Sequence, residues 1–110
     1  MHIRAHEDDA TMIEESGHSG AELIGKAHGA TNGFCLGIAV YPLEIYAQPG
    51  IHDDQEGFYV VEGTGTAKVG DEEFEIRPGS AFIAQKGVPH SIKRDPGSVP
   101  VKVVWSHGAV

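Results

Sequence analysis

Phe58-Tyr59-Val60-Val61-Glu62-Gly63-Thr64-Gly65-Thr66-Ala67-Lys68-Val69-Gly70-Asp71-Glu72-Glu73-Phe74-Glu75-Ile76-Arg77-Pro78-Gly79 reads as three short strands and the turns that join them. Phe74 and Ile76 alternate with Glu75 and Arg77, so one face would meet a core and the other solvent or a neighbouring strand. Gly70-Asp71 has the length of a two-residue hairpin turn, with glycine supplying the positive φ. Gly63-Thr64-Gly65 reads as a bend where backbones approach closely, and Pro78-Gly79 as a further turn. A period of two, broken every few residues by glycine or proline, predicts β-structure.

The same grammar extends in both directions. Further β-prone runs are Ala21 to Lys26, Gly33 to Tyr41, Glu44 to Ala47, Ala81 to Ala84, His90 to Arg94 and Val101 to Trp105, with another turn at Pro96-Gly97. A chain of 110 residues suits one domain with one apolar core, and its 15 glycines and 6 prolines fit many tight turns. The reading is therefore all-β, a sandwich or barrel. Glu7 to Glu15 is the one stretch with any helical character; its periodicity is weak, so it reads as loop or edge strand with a solvated acidic surface. Residues 1–20 are taken as an N-terminal segment, loop or edge strand, and 21–110 as the barrel.

The formal charge is -8 and the eight Lys and Arg are scattered, with only Lys93-Arg94 adjacent. No basic stripe would follow a phosphate backbone, which sets nucleic acid aside as a partner. No apolar run has the length of a signal peptide or a membrane span, so the expected partners exclude the membrane and the expected location is the cytoplasm. Cys35 is the single cysteine, which excludes an internal disulfide and a cysteine-based zinc cluster. In Phe34-Cys35-Leu36-Gly37-Ile38 it reads as a small core hydrophobe. Any metal would have to use His, Asp, Glu or water.

Three residues answer to that requirement. His52 and Glu56 lie in Gly50-Ile51-His52-Asp53-Asp54-Gln55-Glu56-Gly57, and His90 closes Gly87-Val88-Pro89-His90. Two neutral imidazoles and one carboxylate would suit Fe(II), Mn(II), Co(II) or Ni(II) and leave coordination positions open, and zinc accepts the same set. A ligand from a strand remote in sequence needs a closed or nearly closed sheet to bring it alongside.

These residues and their spacing resemble the cupin superfamily, in the form of a small single-domain cupin of the conserved-barrel type. Six residues separate Glu56 from Gly63 and three separate His52 from Glu56, as in the family's first motif; Gly79, Gly87 and His90 keep the separations of its second. Gln85 stands where that motif has proline and Arg94 where it has asparagine. Gly50 stands where the first motif has its first histidine, so one of the four usual ligands is absent, and Glu44 replaces the motif's leading glycine.

The resemblance implies a double-stranded β-helix, or jelly-roll barrel, that binds one divalent metal ion (Fe, Mn, Ni, Co or Zn) through His52, Glu56 and His90. It implies small-molecule chemistry of the dioxygenase, isomerase or epimerase, or lyase kind on an oxygen-rich or carboxylate substrate, with Glu56 as ligand or catalytic base. It also implies a homodimer formed through sheet edges, for which Ala21 to Lys26 is the expected edge. The alternative is a non-catalytic barrel that captures a small ligand or metal and has lost part of its site; a third reading is a purely structural dimer-forming barrel without an open pocket. Asp53 and Asp54 read as turn residues, with ligation of a hard cation as their other option. His2, His6, His18, His28 and His107 fall outside the motifs and are expected to be exposed, His28 or His107 filling the Gly50 vacancy being the remote option. Tyr41, Tyr46, Tyr59, Phe82 and Trp105 are expected in the core, Tyr46 and Phe82 as pocket walls.

Overall fold

A computed structural model describes residues 3–108. The described residues form nine strands: β1 Ile13–Glu15, β2 His18–Ile24, β3 Cys35–Tyr41, β4 Gln55–Glu62, β5 Gly65–Val69, β6 Glu72–Ile76, β7 Ala81–Ala84, β8 His90–Arg94 and β9 Val101–Gly108. Helix is confined to two three-residue 3-10 turns, Glu7–Asp9 and Lys26–His28, and no helix among the described residues is long and apolar enough to cross a membrane. The stretch Glu7 to Glu15, weakly helical in sequence, thus divides into a single 3-10 turn and the short strand β1.

The strands form two antiparallel sheets, one ordered β1-β2-β3-β9-β4-β7 and the other β6-β5-β8. Their inner faces close on one core of Ala39, Phe58, Val60, Ala84, Val101 and Val103 from the larger sheet and Ala67, Ile76 and Ile92 from the smaller. This is the double-stranded β-helix that the sequence led us to expect. The pattern in β4 is strict: Glu56, Phe58 and Val60 are buried while Gln55 and Tyr59 are exposed, so a single carboxylate shares the inward face with two core residues.

Two glycines permit the close approaches. Gly70 takes φ 59° at the first position of the β5–β6 hairpin, whose strands pair Val69 with Glu72 as the two-residue turn requires. Gly65 lies against the backbone of β8, where a Cβ would overlap the Lys93 carbonyl oxygen.

Two expectations are corrected. Glu44 to Ala47 is not a strand: it lies between Pro42 and Pro49 and makes bends, tied down when Arg94 N–H donates to the Leu43 carbonyl and the Arg94 guanidinium meets the Pro42 carbonyl and Glu44 carboxylate. Of the run Ala21 to Lys26, Ala21 to Ile24 belong to β2, whose pairing with β1 ends at Gly20, so this part of the strand has only β3 beside it, and Lys26 opens the second 3-10 turn. Cys35 is half-buried rather than a core residue; it sits at the start of β3 opposite His107, and burial, then the Glu22 carboxylate, push its thiol up.

Candidate metal centre

Glu56 is the centre of the arrangement. It is the one buried charged side chain among the described residues, 6% exposed, and β4 aims it inward because Phe58 and Val60 must enter the core on the same period of two. Oε1 lies 3.3 Å from His52 Nε2 and 3.1 Å from His90 Nε2, while Oε2 lies 3.2 Å from His107 Nε2. Each imidazole arrives by a different route. His52 precedes β4 in the same loop; His90 opens β8, where two backbone hydrogen bonds with Gly50 (2.9 and 3.0 Å) fasten the second sheet to the loop. His107 stands directly across β9 from Glu56.

The sequence therefore identified His52, Glu56 and His90, which come together with ligand atoms all within 4.8 Å of one another. It missed His107. The alternation of Val101, Val103 and Trp105 was stopped one step early, and β9 runs on to Gly108; the same period of two continued by two residues puts His107 on the inner face. Asp54, expected as a turn residue or an alternative ligand, instead accepts from His107 Nδ1 at 2.8 Å. Asp53 is exposed. Of the other histidines, His6 is exposed, His28 Nδ1 accepts from the Gly25 amide, and His18 stacks on Tyr41 with ring centroids 4.7 Å apart; His2 lies outside the described residues.

The donor set fits a cation. Glu56 Oε1 is buried without a hydrogen-bond partner even though two ring nitrogens face it, and the protons explain why. His90 Nδ1 lies 3.3 Å from the Val88 carbonyl, which only accepts, so the single N–H of a neutral ring is used there and Nε2 offers a lone pair to a carboxylate. A positive ion resolves such a convergence. Contacts of 3.1 to 3.3 Å between ligand atoms are also the spacing that neighbours around one ion at ~2.0–2.2 Å adopt. The electrostatics divide the two motif histidines. Burial and the neighbouring imidazoles hold His52 below the ordinary value despite Glu56, whereas at His90 burial is outweighed by the contact and charge of Glu56, which hold it above.

These groups lie in a cleft of about 340 Å³. Its polar end is formed by His52, Glu56, His90 and His107, and its apolar walls include Ala39, Ile92 and Trp105; its mouth lies by exposed Glu15 and Gln48. Trp105 lies over β3 where Gly37 has no side chain, since a Cβ there would overlap the indole. Tyr41 is the pocket-wall tyrosine, and burial, then the Glu56 charge, raise its pKa, so it is a neutral phenol. Phe82 is not a wall but stacks on Phe58 at 4.6 Å, and Tyr46 lines a separate cleft of about 250 Å³ with Pro49, Lys68 and Pro89 while donating to Glu73 at 2.7 Å. Tyr59, expected in the core, is 50% exposed on the outer face of β4.

The family profile described as "Cupin domain" matches residues 39–107, more than half of the chain. The chain belongs to the cupin family. No curated protein sequence matches this cupin. Among solved structures, it is similar to the polyketide cyclase RemF from Streptomyces resistomycificus, with TM-score 0.80 and 24% identity over 98% of this chain and 80% of that one. It is similar to a predicted oxalate decarboxylase from Thermotoga maritima, with TM-score 0.81 and 16% identity over 96% and 98% of the two chains. It is similar as well to HppE, solved with Fe(II) and substrate, with TM-score 0.82 and 17% identity over 96% of this cupin and 59% of HppE. At these identities the likeness establishes the fold.

Proposed function

We propose that this cupin is a small-molecule metalloenzyme in which His52, Glu56 and His90 hold one divalent ion of Fe, Mn, Ni, Co or Zn at the polar end of the cleft. The observation that carries the reading is the buried, unpartnered Oε1 of Glu56 beneath two imidazole nitrogens, in a cleft lined by Glu15 and Glu22 and by no Lys or Arg. A carboxylate left so without a cation would be costly to bury. The bound ion would supply a Lewis acid for a substrate oxygen or an open position for dioxygen.

The chain's own groups divide the remaining work. His52 and His90 present Nε2, with the Val88 carbonyl fixing the His90 tautomer. Glu56 lies between the imidazoles and is placed to serve as base toward a substrate bound over them. The neutral Tyr41 phenol offers a hydrogen bond to an oxygen-rich or carboxylate substrate, and Trp105 an apolar face. The HppE structure with Fe(II) and substrate supports iron as the ion, the predicted oxalate decarboxylase supports carboxylate chemistry, and RemF a cyclisation.

Elemental analysis of never-chelated protein tests this directly. About one equivalent of metal in the wild type, lost in both His52→Ala and His90→Ala, is expected, followed by metal-dependent oxygen consumption or keto-acid or sugar turnover. No metal retained after reconstitution with Fe(II), Mn(II), Ni(II) and Zn(II) would sink the reading. Gly50 favours a second one, a barrel that binds a small ligand without catalysis; Glu56→Gln that keeps fold and ligand binding with no turnover to lose would support it. The homodimer belongs to this proposal too: Tyr59, Val61 and Ile83 expose 50%, 41% and 48% of their surface on the outer face of β4 and β7, an apolar patch that a second copy would cover. Light scattering decides between a mass of one chain and two.

A further inference from the structure

We propose that His107, held by Asp54, is a fourth protein ligand in this centre and supplies from β9 the imidazole that Gly50 leaves out of the loop before β4. The inference rests on the metal-site reading above and adds to it a residue outside both family motifs.

The argument begins with protons. Asp54 Oδ1 lies 2.8 Å from His107 Nδ1, and a carboxylate only accepts, so the N–H of a neutral ring is on Nδ1. Nε2 is then a lone pair, and it points at Glu56 Oε2 from 3.2 Å. In that neutral form two lone pairs face each other at hydrogen-bond distance, an arrangement that a shared cation settles. His90 shows the same construction, with Nδ1 on the Val88 carbonyl and Nε2 on the opposite oxygen of the same carboxylate. Glu56 thus receives an outward-anchored imidazole on each oxygen, and the pairing of ring N–H with a carboxylate or carbonyl is how metal-bound histidines are usually fixed.

Space and position agree. A Cβ on Gly50 would stand 3.0 Å from His90 Nε2 and 3.5 Å from His52 Nε2, so the place of the family's first histidine is kept clear at the edge of the cluster. His107 enters from the other side: its ring lies 4.6 Å from that of His52, nearly perpendicular to it, and its side chain is 14% exposed where the His52 side chain is 42% exposed. Trp105 contacts the His107 ring edge-on at 5.3 Å and confines it. His107 is thus better buried than His52, and no motif contains it.

Zinc K-edge X-ray absorption on full-length protein loaded with one equivalent of Zn(II) counts the imidazoles. Three are expected in the wild type and two in His107→Ala, together with a loss of Zn(II) affinity of about tenfold or more; Asp54→Asn is expected to keep the count and lose about 10- to 100-fold in affinity through orientation alone. Circular dichroism of the apo variants checks the fold, and His107→Gln replaces alanine if the latter does not fold. Two imidazoles in the loaded wild type, or an unchanged count and affinity in the folded His107 variant, would overturn the inference while leaving the three-residue site intact. A wild type that takes up no Zn(II) would overturn both.

Discussion

Gly50 sets how crowded the candidate metal centre is. A methyl group there would press on His90 Nε2 at 3.0 Å and on the ring carbon beside it at 3.4 Å, closer than ordinary contact, and the His90 ring would have to tilt. Gly50→Ala is therefore expected to weaken metal binding by about 10- to 100-fold, the range for disturbed ligand orientation, with an unchanged circular dichroism spectrum; titration calorimetry with Zn(II) gives the answer, and an affinity equal to wild type would show that the ring has room. Proton competition adds a second expectation. Metal and proton contend for the same Nε2, and Glu56 holds His90 above its ordinary 6.5 while burial holds His52 below it. Affinity should thus rise with pH and go on rising past 6.5 as His90 gives up its proton last, the His52 step lying on the acid side. A binding curve already level at 6.5 would contradict this assignment.

Among the elements, β6 carries the clearest packing prediction. Ile76 is 2% exposed and closes the smaller sheet onto the core, so Ile76→Ala would leave a cavity and cost about 2–5 kcal/mol, read as a lower urea midpoint at unchanged slope. The strands around it were legible because each has a solvated face: Glu72 to Ile76 and Ala81 to Ala84 match their predicted bounds. Legibility failed where period two had no partner to act on. Glu44 to Ala47 has a strand-like composition, but Arg94 takes up the Pro42 and Leu43 carbonyls just before it and the Glu44 carboxylate, and it bends over the end of β8 instead of joining a ladder. It failed again at the end of β9, where Ser106 and His107 look like a polar tail and are ladder residues paired with β3 and β4. Only the neighbours on both sides make that segment a strand.

For the whole molecule, the candidate metal site and the fold are one object. Glu56, His90 and His107 come from three strands in two sheets, and the loop with His52 is fastened to β8 through Gly50. An ion bound only by the folded state stabilises it by mass action, about 2.7 kcal/mol at a free concentration one hundred times the Kd. Chelation is expected to lower the melting temperature by several degrees, and re-addition of the bound metal to restore it. A melting temperature indifferent to chelator in protein shown to have lost its metal would mean that the site and the fold are not coupled.

The sequence alone determined the all-β class, the strand-and-turn order from Phe58 onward and the His52–Glu56–His90 set, because period two, glycine turns and motif spacing are local properties. The tertiary structure decided what depends on pairing: that Asp54 faces His107 rather than solvent, that His107 stands across a strand from Glu56, and that Tyr41 and Trp105 are the cleft walls. Those contacts join residues tens of positions apart through a register set by burial on both sheets. A neighbour across a ladder cannot be read from either strand by itself.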